Sequence, residues 1–286
     1  MTFQKRRAAL RSILSGSACI RPGSVYDAIS IRIAEDIGFE VGMFGGSVAS
    51  LAVLGDPDIA LITLTELAEQ MRRMSRAAAL PVLVDADHGY GNAMNVRRTV
   101  QELEAAGAAG LTIEDTLLPQ AYGQAKPQLI SLEEGVGKMK GALDGRGDPA
   151  LVIVARTGAA SITSLEDTIV RAKAYEATGV DALFFTGIKT KNELEAIAVA
   201  TTLPIVLGGA PEAMNDLDYL SRLRVRIALQ GHAPIAAATQ SVYATLKALR
   251  DGLPPKDLKG LASSELTNKV TREADVKARL AQLLGL

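Results

Sequence analysis

Tryptophan is absent from this chain of 286 residues, and cysteine and histidine are scarce, with 1 Cys and 2 His. One thiol cannot make a disulfide framework, and one Cys with two His cannot build a Cys-rich zinc site or an iron–sulfur cluster. Any metal must therefore be held by carboxylates. Charge of one sign is missing too: 31 Lys+Arg against 32 Asp+Glu leave a formal charge of -1, so no net field steers the chain onto nucleic acid or an anionic membrane. No window reaches the ~18 consecutive apolar residues of a membrane-spanning helix. The basic start, with Lys5, Arg6, Arg7 and Arg11, is followed by no apolar core of signal-peptide length. These absences predict a soluble, cytoplasmic protein with neither a nucleic-acid nor a membrane partner, beginning with an amphipathic helix over Met1 to Ile13.

What is present is an ordinary globular composition, 48% hydrophobic and 22% charged, in a repeated strand-then-helix rhythm. Strands are predicted at Ile20 to Val25, Val41 to Gly45, Val82 to Asp87, Leu111 to Asp115, Leu151 to Thr157, Ala182 to Thr186, Ile205 to Gly208 and Ile227 to Gly231. Helical periodicity follows most of them, at Ala28 to Ile37, Thr65 to Ala79, Ala93 to Ala106, Leu132 to Leu143, Leu165 to Thr178, Lys191 to Ala200, Asp216 to Arg222 and Pro234 to Asp251. Thr65 and Ser131 are candidate helix caps, the latter with Glu134 at capping-box spacing. Gly38, Gly107 and Gly179 each stand between a helix and the next strand, where a left-handed residue stops the helix. Eight such units, with strands apolar on both faces, fit a single (β/α)8 TIM barrel over residues 1–286, an open doubly wound sheet being the alternative. The polar tail from Asp251 to Leu286 is expected to add a C-terminal helical arm.

In such a barrel, chemistry sits at the C-terminal strand ends, and polar residues collect there. Strand alternation puts Asp85 and Asp87 on one face; with Glu114 a strand away they offer an oxygen-rich site for Mg2+ or Mn2+, or else are solvated or paired with arginine. Arg156 offers a planar fork for a carboxylate or a developing oxyanion, and alternatively an ion pair with a rim acid. Gly46 and Ser47, in Gly45-Gly46-Ser47, can present N–H groups and a hydroxyl to an anion, or form a plain turn. His232 and His88 are candidate substrate ligands or hydrogen-bonded structural residues. Cys19, distant in sequence from all of these, reads as a buried apolar residue.

Together Gly45-Gly46-Ser47, Asp85-Ala86-Asp87-His88-Gly89-Tyr90-Gly91-Asn92, Ile113-Glu114-Asp115 and Ala155-Arg156-Thr157 resemble the isocitrate lyase/phosphoenolpyruvate mutase superfamily, in the family's order from Val25 to His232. Gly45 to Ser50, Leu61 to Leu64, Asp115 to Pro119 and Gly231-His232-Ala233 look most like its bacterial oxaloacetate decarboxylase branch. The resemblance implies a Mg2+-dependent (or Mn2+-dependent) carboxy-lyase acting on a small 2-oxo dicarboxylate, oxaloacetate going to pyruvate and CO2 through a metal-stabilised enolate. It implies Asp85 as direct metal ligand, Asp87 and Glu114 acting mostly through water, and Arg156, Gly46, Ser47 and His232 on the substrate. It also implies a homodimer or homotetramer that exchanges the Pro234 to Asp251 helix.

The lyases of this superfamily carry a catalytic Cys in the loop after the fourth strand; here Tyr122 to Leu129 has none, which agrees with decarboxylation ending in protonation by solvent. Two positions depart from the family pattern: Gly158 replaces an Asn or Asp, and Gly208-Gly209-Ala210-Pro211 replaces a polar loop. Asp58 matches an acid that mutase-like relatives use as a base or water-positioner, and otherwise reads as a turn. The rival readings are a carbon–carbon lyase or hydrolase on another 2-oxo acid or alkylmalate, and a non-catalytic relative that binds a 2-oxo acid.

Overall fold

The computed structural model describes residues 2–285. Its eight parallel strands are neighbours in space in their sequence order: β1 (Gly23–Ser24), β2 (Gly42–Phe44), β3 (Val82–Asp85), β4 (Gly110–Glu114), β5 (Val152–Thr157), β6 (Ala182–Phe185), β7 (Ile205–Leu207) and β8 (Val225–Ala228). Ile20 joins the two edges. Its N–H donates to the Arg226 carbonyl at 2.9 Å, and its own carbonyl accepts from the Ala228 N–H at 2.9 Å. The expected TIM barrel is the observed fold.

The helices are α1 (Phe3–Ser15), α2 (Ala28–Asp36), α3 (Gly46–Ala49), α4 (Leu64–Ala77), α5 (Ala93–Ala105), α6 (Leu132–Gly145), α7 (Ala159–Ile162), α8 (Leu165–Glu176), α9 (Lys191–Ala200), α10 (Leu217–Arg222), α11 (Ala233–Arg250), α12 (Ser264–Thr271) and α13 (Glu273–Leu284). α1 runs over Phe3–Ser15 where a helix was expected from Met1 to Ile13, and α12 and α13 lie in the tail, Met1 and Leu286 being outside the described residues. None of the helices among the described residues is long and apolar enough to cross a membrane.

Local chemistry sets most boundaries. Gly38, Gly107 and Gly179 take φ of +90°, +97° and +92°, the left-handed stops expected of them. Ser131 caps α6 by accepting from the Glu134 N–H at 3.1 Å. Thr65 is not a cap; Thr63 is, in a reciprocal capping box with Glu66, because Glu66 must lie three residues beyond the cap to reach back to its N–H. β8 starts two residues before Ile227. An arginine inside an apolar strand hides that start, and Arg226 is accommodated because its Nη1 donates to the Ser221 and Val225 carbonyls.

Period-2 alternation sorts each strand into an outward set under the helices and an inward set filling the barrel. Val41, Met43, Leu83, Val152, Val154, Ala182, Phe184, Val206 and Ile227 form the interior cluster, and Leu10 and Leu14 of α1 plug its lower end. The same parity carried upward points Asp85, Glu114 and Arg156 inward at the mouth. Asp115, one residue on, points outward and is fully buried under α8, where Tyr175 donates to it at 2.7 Å and Arg171 pairs with it at 3.1 Å. Asp115→Ala leaves the buried Arg171 without that partner, so urea unfolding is expected to register a loss of about 3–5 kcal/mol.

Candidate active site

The mouth holds a cavity of about 490 Å3, whose wall includes Ser47, Asp58, Asp85, Asp87, Glu114, Arg156 and His232. Seven residues separated by up to 185 positions in the chain thus converge, because each follows or ends a strand at the same end of the barrel. Asp85 accepts from Thr112 Oγ1 at 2.9 Å, and Glu114 from Thr116 Oγ1 at 2.6 Å. Arg156 Nη1 pairs with Asp85 Oδ2, and its Nη2 lies 3.6 Å from Glu114 Oε2. The guanidinium carbon sits 5.2 Å from the centre of the Phe184 ring, while Nε is buried without an acceptor. Arg156 therefore displays both expected characters at once, a fork facing the cavity and an ion pair with rim acids.

Asp87 reaches the cavity by a different route from the expected one. β3 ends at Asp85, and Asp87 takes φ of +48°, so local chain reversal rather than strand alternation presents its carboxylate. Gly46 stands directly behind it: a Cβ there would lie 2.4 Å from Asp87 Oδ1. Gly46 thus makes room for an acid instead of forming the cavity wall, and Ser47 at the start of α3 faces the space. The same turn carries His88 away from the mouth into a buried position, its carbonyl accepting from Lys138 at 2.9 Å. Burial pulls its imidazole down to about 4, and His88 is not among the residues that line the mouth cavity. His232 is at the mouth. Its Nδ1 contacts Ser24 Oγ at 2.8 Å, and burial lowers its pKa against the opposing pull of Asp85 and Asp58. Cys19 is buried, as expected, and its thiol is pushed up to about 11.

Four carboxylates and one guanidinium line this cavity. Burial, then the neighbouring acids, drives Asp87 well above the ordinary carboxylate range. Glu114 is raised by burial and Asp58 by burial and the charge of Asp85. Crowded acids that cannot all ionise call for another cation. Among the described residues no group of three or more His, Cys, Asp or Glu side chains is arranged to hold a metal ion. A hard cation can instead be held by one or two carboxylates with water filling its remaining positions.

Several residues of the cavity were not singled out from the sequence, Phe184 and Thr186 among them. Phe184 and Thr186 continue the inward parity of β6, and Thr186 Oγ1 lies 3.3 Å from where a Cβ on residue 158 would stand. Gly208 has the same relation to both: a Cβ there would meet Phe184 and Thr186 carbons at 2.9 Å. The polar groups missing at Gly158 and in the loop after β7 thus correspond to space taken by a phenyl ring and a hydroxyl from β6. The signal was in the alternation, but only tertiary packing shows what the glycines admit.

The family model for phosphoenolpyruvate phosphomutase matches residues 10–250. The oxaloacetate decarboxylase of Bradyrhizobium diazoefficiens is 80% identical over 285 residues, covering 100% of this chain and 99% of that protein. That of Rhodopseudomonas palustris strain BisB5 is 75% identical over 286 residues, with coverage of 100% and 99%. Among solved structures, phosphonopyruvate hydrolase in complex with oxalate and Mg2+ is 27% identical with a TM-score of 0.86, covering 98% of this chain and 99% of that one. Phosphoenolpyruvate phosphomutase from Streptomyces platensis subsp. rosaceus is 25% identical with a TM-score of 0.87, coverage being 97% and 99%. With its mouth of carboxylates at the C-terminal strand ends and these likenesses along its whole length, the chain belongs to the phosphoenolpyruvate mutase/isocitrate lyase superfamily.

Proposed function

We infer that this chain is a divalent-cation-dependent, cytoplasmic enzyme that decarboxylates oxaloacetate to pyruvate and CO2. The observation carrying this reading is the surplus of acid in the mouth, in a chain so similar to oxaloacetate decarboxylases. A doubly charged 2-oxo acid would be repelled by four carboxylates facing one guanidinium, and a bound cation offsets most of that repulsion. Asp85 would hold the cation directly, with Asp87 and Glu114 acting mostly through water. A bound Mg2+ or Mn2+ supplies Lewis acidity at the substrate ketone.

The chain's own groups do the rest. Arg156 stabilises the negative charge that grows on the C2 oxygen as the C3–C4 bond breaks and its electron pair moves toward the ketone. Ser47 and the backbone N–H groups beside it hold the substrate carboxylate. His232, neutral and oriented through Ser24, adds a contact from Nε2. The loop from Tyr122 to Leu129 offers no thiol, so solvent protonates C3. Asp58, its ionisation opposed by burial and Asp85, positions water at the wall; this placement also suits the hydrolase reading.

A steady-state assay with oxaloacetate, phosphonopyruvate and 2,3-dimethylmalate, with Mg2+ and with EDTA, tests the proposal. Pyruvate should form from oxaloacetate above the rate of oxaloacetate with Mg2+ alone. Release of acetate and oxalate, or no turnover, would overturn it. Thr186 belongs to the specificity side of the same reading, its hydroxyl facing the distal carboxylate. Thr186→Val is expected to raise KM for oxaloacetate about 10-fold, one lost charge-assisted hydrogen bond, and to leave inhibition by oxalate, which lacks that distal group, unchanged.

Support for the homodimer or homotetramer comes from α11. Of its 18 residues only Ile235 is buried, while Val242, Tyr243 and Leu246 are 58%, 66% and 62% exposed. An apolar helix face of this kind marks an interface, and α11 is the helix that a second copy would receive. Light scattering should give a dimer or tetramer mass, and the double substitution Tyr243→Lys, Leu246→Lys should lower it.

A further inference from the structure

The end of the barrel opposite the mouth has a polar cavity of its own, of about 530 Å3, bounded by α1, α2, the C-terminus of α4 and the α12–α13 junction. Five arginines face it, Arg6, Arg32, Arg76, Arg272 and Arg279, against two acids, Glu35 and Asp275. Part of that charge is used within the fold. Arg272 pairs with Asp36 at 2.7 Å and Glu35 at 3.4 Å. Arg32 donates to the Ala77 and Val270 carbonyls at 2.9 and 3.2 Å, bridging the ends of α4 and α12.

Arg6 is different. It is only 6% exposed, yet its side chain makes one hydrogen bond among the described residues, from Nη1 to the Ser75 carbonyl at 2.7 Å, beside a cation–π contact with the Phe3 ring 5.5 Å away. Nε is buried with no acceptor. The next residue, Arg7, is equally buried and meets Glu104 and Asp148. Arg171 and Arg156 likewise have carboxylate partners. A buried guanidinium without a carboxylate leaves most of its charge uncompensated. Burial pulls Arg6 below the ordinary guanidinium range, opposed by the Glu35 charge. Arg76 and Arg279 form no ion pair among the described residues and are exposed at the rim.

We propose that this cavity is a second binding site, for a compact polyanion bearing carboxylate or phosphate groups, held between Arg6, Arg32 and Arg76 of the barrel and Arg279 of the tail. Guanidinium forks match the paired oxygens of both groups, and the volume is that of a small-metabolite site. Such an anion bridges the barrel base and α12–α13, whose visible ties to the barrel include the Arg272 ion pairs and the Arg32 hydrogen bond. Ligand binding therefore clamps the tail, and it does so without touching the mouth.

The test uses the full chain in EDTA, which removes divalent cations that the probes would chelate. Citrate and pyrophosphate are titrated separately by calorimetry, with sodium chloride at matched ionic strength as control, and hydrogen exchange is followed across residues 264–279. Saturable binding with increased protection of α12–α13 is expected, and the stronger probe identifies the carboxylate or the phosphate source. The exposed double substitution Arg76→Gln, Arg279→Gln should weaken binding about 10-fold or more, while kcat and KM at the mouth, assayed separately with Mg2+, stay unchanged. Absence of saturable binding beyond the chloride control, or binding that the double substitution leaves intact, would overturn the proposal.

Discussion

Asp85→Ala is expected to lose cation binding and turnover together, with kcat/KM for oxaloacetate falling by about 10^3-fold or more. Asp85 is the acid on which the mouth is organised: Thr112 donates to one of its oxygens and Arg156 to the other. Its removal takes away the only carboxylate in the cavity that touches the arginine directly through a hydrogen bond, and with it the proposed direct cation ligand. The fold should survive, since the residue sits above the apolar layers that Met43, Leu83 and Val154 build. Calorimetry with Mn2+ beside a decarboxylation assay checks both losses. Retention of the wild-type rate by this variant would falsify the assignment of the metal site.

Arg156→Ala should separate the two functions that Asp85→Ala removes at once. Without the guanidinium, the charge developing on the substrate oxygen loses its preorganised donor, and kcat is expected to drop by about 10^2–10^3-fold. Cation affinity should not fall with it. Arg156 competes for Asp85 and Glu114 in this structure, so taking it away frees both carboxylates for a cation and leaves the acids with a stronger need for one. The expected signature is a tighter Mn2+ isotherm in a nearly inactive protein. Arg156→Lys is not a conservative rescue, because an ammonium cannot span Asp85 and Glu114 as the planar fork does or lie flat on Phe184. Equal losses of cation affinity and kcat in Arg156→Ala would mean that the arginine is part of the cation site and has no separate share in the chemistry.

Much of this was legible before any coordinates. Alternating apolar residues and helix-stopping glycines, with each strand followed by a helix, specify a barrel because these signals are local: period 2 and period 3.6 are properties of neighbouring residues. Asp85, Glu114 and Arg156 were readable as one layer for the same reason, each being two or four residues above an interior position of its own strand. Asp87 and His88 were harder. Whether a chain continues as a strand or reverses at φ of +48° depends on what is packed behind it, here the space that Gly46 leaves, and Gly46 lies 41 residues earlier in the sequence. The reversal sends Asp87 into the cavity and His88 beneath it. Thr186 and Phe184 escaped notice because an apolar strand that ends in threonine looks like any other strand end.

The sequence by itself determined the eight strand–helix units, the resemblance to the family, the exclusion of Cys- and His-rich metal chemistry, and the set of acids from which a cation site is made; closure of the sheet through Ile20 was seen only in the tertiary structure. Composition suffices for the exclusion and periodicity for the strand–helix units, because they depend on residue type and spacing alone, while the family rests on the resemblance of its motifs. The tertiary structure decided which of those acids share a charge balance with Arg156, which of the two histidines reaches the mouth, and what fills the room left at Gly158 and Gly208. It also brought together five arginines from four helices and a helix junction at the opposite end. Electrostatic neighbours are set by distance in space, and in a closed barrel the residues nearest one another are separated by up to the whole length of the chain.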